Sequence, residues 1–114
     1  CSTLRDAELY LERGARAVSL KPGRVGLSET RAIQKRIAAR EVQSAVGIYA
    51  ESALGTLVSL QQPATMPAEQ TFFLMLRAQV CKLVPEIRGG IITLPEEPNF
   101  ERLVDWEAVK RYKA

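Results

Sequence analysis

Residues 44–60, SAVGIYAESALGTLVSL, hold one charged side chain, Glu51, in seventeen positions. Whether this run crosses a bilayer, lies in a core or serves a partner decides the fold. Charge is distributed unevenly around it. Residues 1–41 carry nine Lys or Arg against five Asp or Glu, and residues 42–76 carry only Glu51 and Glu69. Residues 77–114 return to seven basic against six acidic side chains. The middle third is composed for burial and the flanks for water. A charge at the centre of a span is costly, and Ser, Thr and Gly dilute the hydrophobicity, so a membrane helix is disfavoured.

The simplest reading makes 44–60 the second half of a long helix. Ser28 supplies an N-cap, Glu29 suits the positive end of the dipole, and Pro63 is the first hard stop. Some 34 residues of helix would be about 50 Å long at the usual rise, so it must project or bend, with Gly47 and Gly55 as the bend points. Upstream, Leu4, Ala7, Leu11, Ala15 and Val18 recur at spacings of three and four among charges, predicting an amphipathic helix over 3–20 capped by Ser2 or Thr3. KPGRVG, 21–26, breaks it. TFFLMLRAQVCKLV, 71–84, predicts a third helix, apolar over most of its circumference, that closes an antiparallel hairpin on the second and buries Cys81 as a free thiol. Gly89 and Gly90 lead into IITL, 91–94, the one extended run. Asn99 or Asp105 caps a short last helix with Leu103, Trp106 and Val109. The expected fold is therefore all-α: a single helical domain over 1–114, a small bundle of three longer helices, a short C-terminal helix and one extended segment near 91–94.

The chemical inventory points away from catalysis. With 114 residues, no histidine and two cysteines, the chain has neither a His-dependent triad nor a structural zinc set of its own. GRVG lacks the spacing of a dinucleotide fingerprint. Glu96 and Glu97 read as a solvated surface pair on a proline-bounded loop. The expectation is a non-enzymatic structural or adaptor protein without cofactor or metal, which binds another protein of an assembly or a second copy of itself. Its partner-binding candidates are the carboxylate Glu51, the small-residue face with Gly47 and Gly55, and the extended segment at Ile91 and Ile92. The alternative is a soluble, cytoplasmic nucleic-acid- or anion-binding module. It would use Lys21, Arg24, Arg31, Lys35, Arg36 and Arg40, because basic turns beside a helix N-terminus track phosphates. The interspersed Glu29 and Glu41 and the lack of aromatic residues between 11 and 48 argue against nucleic acid, whereas the mild net charge of +3 does not discriminate.

The first two residues, Cys1-Ser2, resemble the mature N-terminus of bacterial lipoproteins. That resemblance implies acylation of Cys1, for example with palmitate, and anchoring in the cell envelope on the periplasmic side of the outer membrane. In that class Ser2 is compatible with outer-membrane sorting. Each buried methylene of an acyl chain would add about 0.8 kcal/mol to the anchor.

Overall fold

The computed structural model describes residues 1–113. Its elements run α1 (Leu4–Glu12), β1 (Ala17–Leu20), α2 (Pro22–Val25), α3 (Leu27–Ala38), β2 (Gln43–Val46), α4 (Ala53–Ser59), a 3₁₀ turn (Phe72–Met75), β3 (Ile87–Arg88), β4 (Ile91–Ile92), a second 3₁₀ turn (Phe100–Leu103) and α5 (Trp106–Tyr112). The fold is mixed α/β, which corrects the all-α expectation. β1 and β2 pair in parallel, with Ala17 opposite Gln43 and Leu20 opposite Val46. β3 and β4 form a small antiparallel hairpin, with Ile87 opposite Ile92. The extended segment near 91–94 thus pairs within its own chain.

The long second helix fails at one residue. α3 ends at Ala38, and the chain leaves it through Glu41, whose φ of 55° is left-handed. The Glu41 N–H donates to Ala38 C=O and the Val42 N–H to Ile37 C=O, both at 3.1 Å. This is a Schellman closure, built with glutamate where glycine is usual. The same closure ends α1, where Gly14 has φ 91° and Ala15 N–H reaches Tyr10 C=O at 2.9 Å. Gly14 is therefore a terminator, and Val18 belongs to a strand. Beyond Glu41, residues 43–46 alternate in burial as a strand does. The opening stretch is strand, loop and a seven-residue helix in succession.

The third long helix is also absent. Of residues 71–84 only Phe72–Met75 is helical, as a 3₁₀ turn. Its apolar side chains are divided: Phe73 and Cys81 are buried, while Leu74, Met75 and Val84 are exposed. Asn99 and Asp105 both act as caps, for the second 3₁₀ turn and for α5 respectively.

Two apolar clusters hold the chain. Ala7 and Leu11 of α1, Val18 and Leu20 of β1, and Ile33 and Ile37 of α3 form the first. Ala53, Leu57, Phe73 and Cys81 form the second, against Ile87, Ile92, Leu94, Phe100 and Leu103. α1 and α3 cover one face of the β1–β2 pair. On the other face Ala17, Ser19 and Gln43 are exposed. β2's outer edge is lined by the chain beyond α4: the N–H groups of Thr65 and Met66 reach Ser44 C=O, and Glu69 N–H reaches Val46 C=O, all at 2.9 Å. No helix of the described residues is long and apolar enough to cross a membrane.

Candidate functional site at the strand ends

A parallel pair joined by a helix puts the carboxyl ends of both strands on one side, where α/β folds bind their ligands. Here that side carries Lys21, directly after β1, and the loop 47–52 after β2, which contains Glu51. Both residues belong to the sequence-derived candidates, one as an anion-binding and one as a partner-binding residue. The fold brings both to the carboxyl-end side of the strand pair.

Lys21 is half-buried and lies across Gly47. A Cβ on Gly47 would stand 3.1 Å from Lys21 Cε and only 2.1 Å from Ser19 Oγ. Gly47 itself is pinned: its N–H donates to Leu20 C=O at 2.7 Å, and its C=O accepts from Gln70 Nε2 at 2.9 Å. Among the described residues Lys21 enters no ion pair. Lys21 and Arg24 border a cleft of about 280 Å³ whose walls include Ala17, Ser19 and Tyr10.

Glu51 is 8 % exposed. One oxygen, Oε2, accepts the Tyr49 N–H at 2.7 Å, and Oε1 accepts the Ser59 hydroxyl at 3.4 Å. Two glycines make its seat. A Cβ on Gly23 would come within 3.3 Å of Glu51 Oε1, and one on Gly55 within 3.0 Å of Glu51 Cβ. Ala50, just before it, takes φ 54°, a left-handed conformation for a residue with a side chain. Ser52 caps α4, and Ala53 N–H donates to Gln79 Oε1 at 2.9 Å, so the end of the loop is anchored on both sides.

The other candidates lie elsewhere. The crossover helix α3 runs antiparallel to the strands, so its C-terminal Lys35 and Arg36, and Arg40 beyond it, sit toward the opposite end of the sheet. Arg31, Lys35, Arg36 and Arg40 are all exposed, and Arg36 Nε pairs with Glu8 of α1 at 3.0 Å. The six basic residues do not form one surface. Ile91 is 68 % exposed at the hairpin tip, whereas Ile92 packs on the second cluster. Cys1 is exposed. Sequence reasoning missed Ser19, Gly23 and Gln70. The available signal was the pair of four-residue runs AVSL and QSAV flanking an amphipathic helix, the pattern of a βαβ unit.

The fold has close counterparts among solved structures. Muconate lactonizing enzyme from Klebsiella pneumoniae matches with a TM-score of 0.87 and 21% identity, over 100% of this chain and 34% of that one. Muconate lactonizing enzyme from Pseudomonas putida matches at 0.83 and 20%, over 97% and 33%. A dipeptide epimerase from Cytophaga hutchinsonii, complexed with Mg and the dipeptide D-Ala-L-Val, matches at 0.77 and 20%, over 88% and 29%. The chain spans about a third of the length of these enzymes. No protein-family model matches it, and no curated protein does. A likeness at this identity establishes the fold alone, which the chain shares with about a third of each of these structures and of a member of the enolase superfamily from Listeria innocua (TM-score 0.82, 20% identity, over 98% of this chain and 32% of that one). It overturns the expectation of a non-enzymatic envelope adaptor, because the muconate lactonizing enzymes and the dipeptide epimerase that share the fold are enzymes. The alternative of a nucleic-acid module falls with it.

Proposed function

We propose that this chain is the part of an enolase-superfamily enzyme that presents Lys21 and Glu51 to the substrate, with Lys21 moving a proton at a carbon beside a carboxylate. The observation that carries the reading is the placement of both side chains at the carboxyl ends of adjacent parallel strands. We take this third of such an enzyme to be a run of strand–helix units from its barrel and not its capping domain. The parallel β1–α3–β2 unit favours the barrel, whose repeating element it is. Two further facts support this. Parallel sheets are normally covered on both faces, yet one face of β1–β2 is bare. The radius of gyration is 15.3 Å, against about 13 Å for a compact domain of this length.

Enolase-superfamily sites use a Lys or His base, with metal ions steadying the ene-diolate. Lys21, directly after the carboxyl end of β1, takes the role of that base. Its neutral amine accepts the proton, the C–H electron pair delocalises into the neighbouring carboxylate, and the resulting ammonium returns a proton to the carbon. Glu51, which accepts the Tyr49 N–H, anchors the loop between β2 and α4. Among the described residues no group of three His, Cys, Asp or Glu gathers to hold a metal, and both Glu51 oxygens already accept hydrogen bonds. These residues do not constitute a Mg²⁺ site by themselves, and no step is assigned to the ion.

The test is exchange of the substrate α-hydrogen in D₂O, followed by NMR with dipeptides and muconolactone-type acids. Lys21→Met should lower exchange at least 10³-fold without loss of fold. Undiminished exchange in that variant would remove Lys21 from the chemistry.

A further inference from the structure

We infer that Gly47 is a positioning residue whose missing side chain sets where the Lys21 amine lies. The inference rests on the reading of Lys21 as the proton carrier. The φ of Gly47 lies outside the left-handed region that favours glycine, so backbone conformation does not call for glycine here. Space does. Ser19 Oγ and Lys21 Cε and Cγ are the three nearest atoms to the absent Cβ, at 2.1, 3.1 and 3.5 Å. The backbone cannot retreat, because Gly47 is tied to Leu20 C=O on one side and to the Gln70 amide on the other. Gln70 is itself 2 % exposed, and the peptide before Gly47 is tied through Val46 C=O to Glu69 N–H at 2.9 Å. An added methyl must therefore displace side chains. Ser19 Oγ blocks it first, and with that oxygen gone the obstacle left is the Lys21 stem.

This ordering gives a separable experiment. Gly47→Ala alone should lower the thermal midpoint, since the 2.1 Å contact cannot persist. Gly47→Ala with Ser19→Ala should recover most of that midpoint while leaving Lys21 displaced. The displacement is read without substrate, by competitive acetylation of Lys21 with acetic anhydride as a function of pH, quantified by peptide mass spectrometry on the full chain. We expect the double variant to label severalfold differently from Ser19→Ala, with a shifted pH midpoint. An unchanged profile would overturn the inference.

Should the double variant fold poorly, a thermodynamic cycle takes its place, with Ser19→Ala present throughout. Gly47→Ala should then cost clearly less when Lys21 is Ala, because the methyl no longer meets the stem; equal costs overturn the inference. In the enzyme, kcat for α-hydrogen exchange should fall with KM nearly unchanged. Loss of the labelling effect refutes the positioning role. Persistent exchange in Lys21→Met refutes the proton-transfer reading and leaves the labelling result intact.

Discussion

At the scale of single residues, two non-glycine positions take the left-handed backbone, Glu41 and Ala50. Each stands where the chain must change direction, one between α3 and β2, the other before Glu51. An L-residue there costs roughly 1–2 kcal/mol against its right-handed alternative. Part of that is returned on substitution by glycine, because glycine also loosens the unfolded chain. Glu41→Gly should raise stability by several tenths to about 1 kcal/mol. It would be read as a higher urea midpoint at unchanged slope. A lower midpoint would mean that the carboxylate makes a contact worth more than the strain.

At the scale of the element, α1 carries a complete capping box. Thr3 accepts the Asp6 N–H at 3.1 Å, and Asp6 accepts the N–H groups of Ser2 and Thr3 at 2.9 and 3.1 Å. The Ser2 N–H bond is the main cause that holds the Asp6 carboxyl below its ordinary pKa. A carboxyl whose folded pKa is depressed stabilises the fold above the ordinary carboxylate range. That contribution is lost as pH falls through the range toward the folded value. The thermal midpoints of the parent and Asp6→Asn should therefore differ most near neutral pH and converge on acidification. A gap that widens in acid would reverse the assignment. Thr3→Ala should cost about 1 kcal/mol by loss of the cap. The same helix is docked by a longer link, since Leu4 N–H donates to the Glu29 carboxylate at the start of α3.

At the scale of the whole molecule, the two apolar clusters make a testable division. Leu57 and Phe73 are 0 % and 1 % exposed and share the second cluster, while Ile33 is 1 % exposed in the first. Leu57→Ala or Phe73→Ala should each cost about 2–5 kcal/mol through lost burial and the cavity left behind. Within the cluster the pair should be non-additive, whereas Leu57→Ala with Ile33→Ala should add to within about 0.5 kcal/mol. Equilibrium denaturation of the three single and two double variants decides it. Coupling across clusters as strong as within one would make them a single core.

The sequence alone determined what depends on neighbours a few residues apart. It located the amphipathic stripes that bury Ala7, Leu11, Ile33 and Ile37 and the buried thiol of Cys81, and it narrowed the caps to Ser2 or Thr3 and to Asn99 or Asp105. It also singled out Lys21, Gly47, Glu51 and Gly55 as unusual, though for other reasons. It could not determine that 43–46 is a strand, because no glycine or proline marks the end of α3 and a run as short as Gln-Ser-Ala-Val suits either a helix or a strand. Pairing with β1, 26 positions earlier in register, made the choice. It could not break 71–84 into a short turn and irregular chain either, since that depends on where Phe73 and Cys81 find the second cluster. The site is tertiary for the same reason. Lys21 and Glu51 are thirty residues apart in the chain. They come to the same end of the strand pair only because the two strands run parallel, with Gly47 leaving room for Lys21 and Gly23 and Gly55 for Glu51.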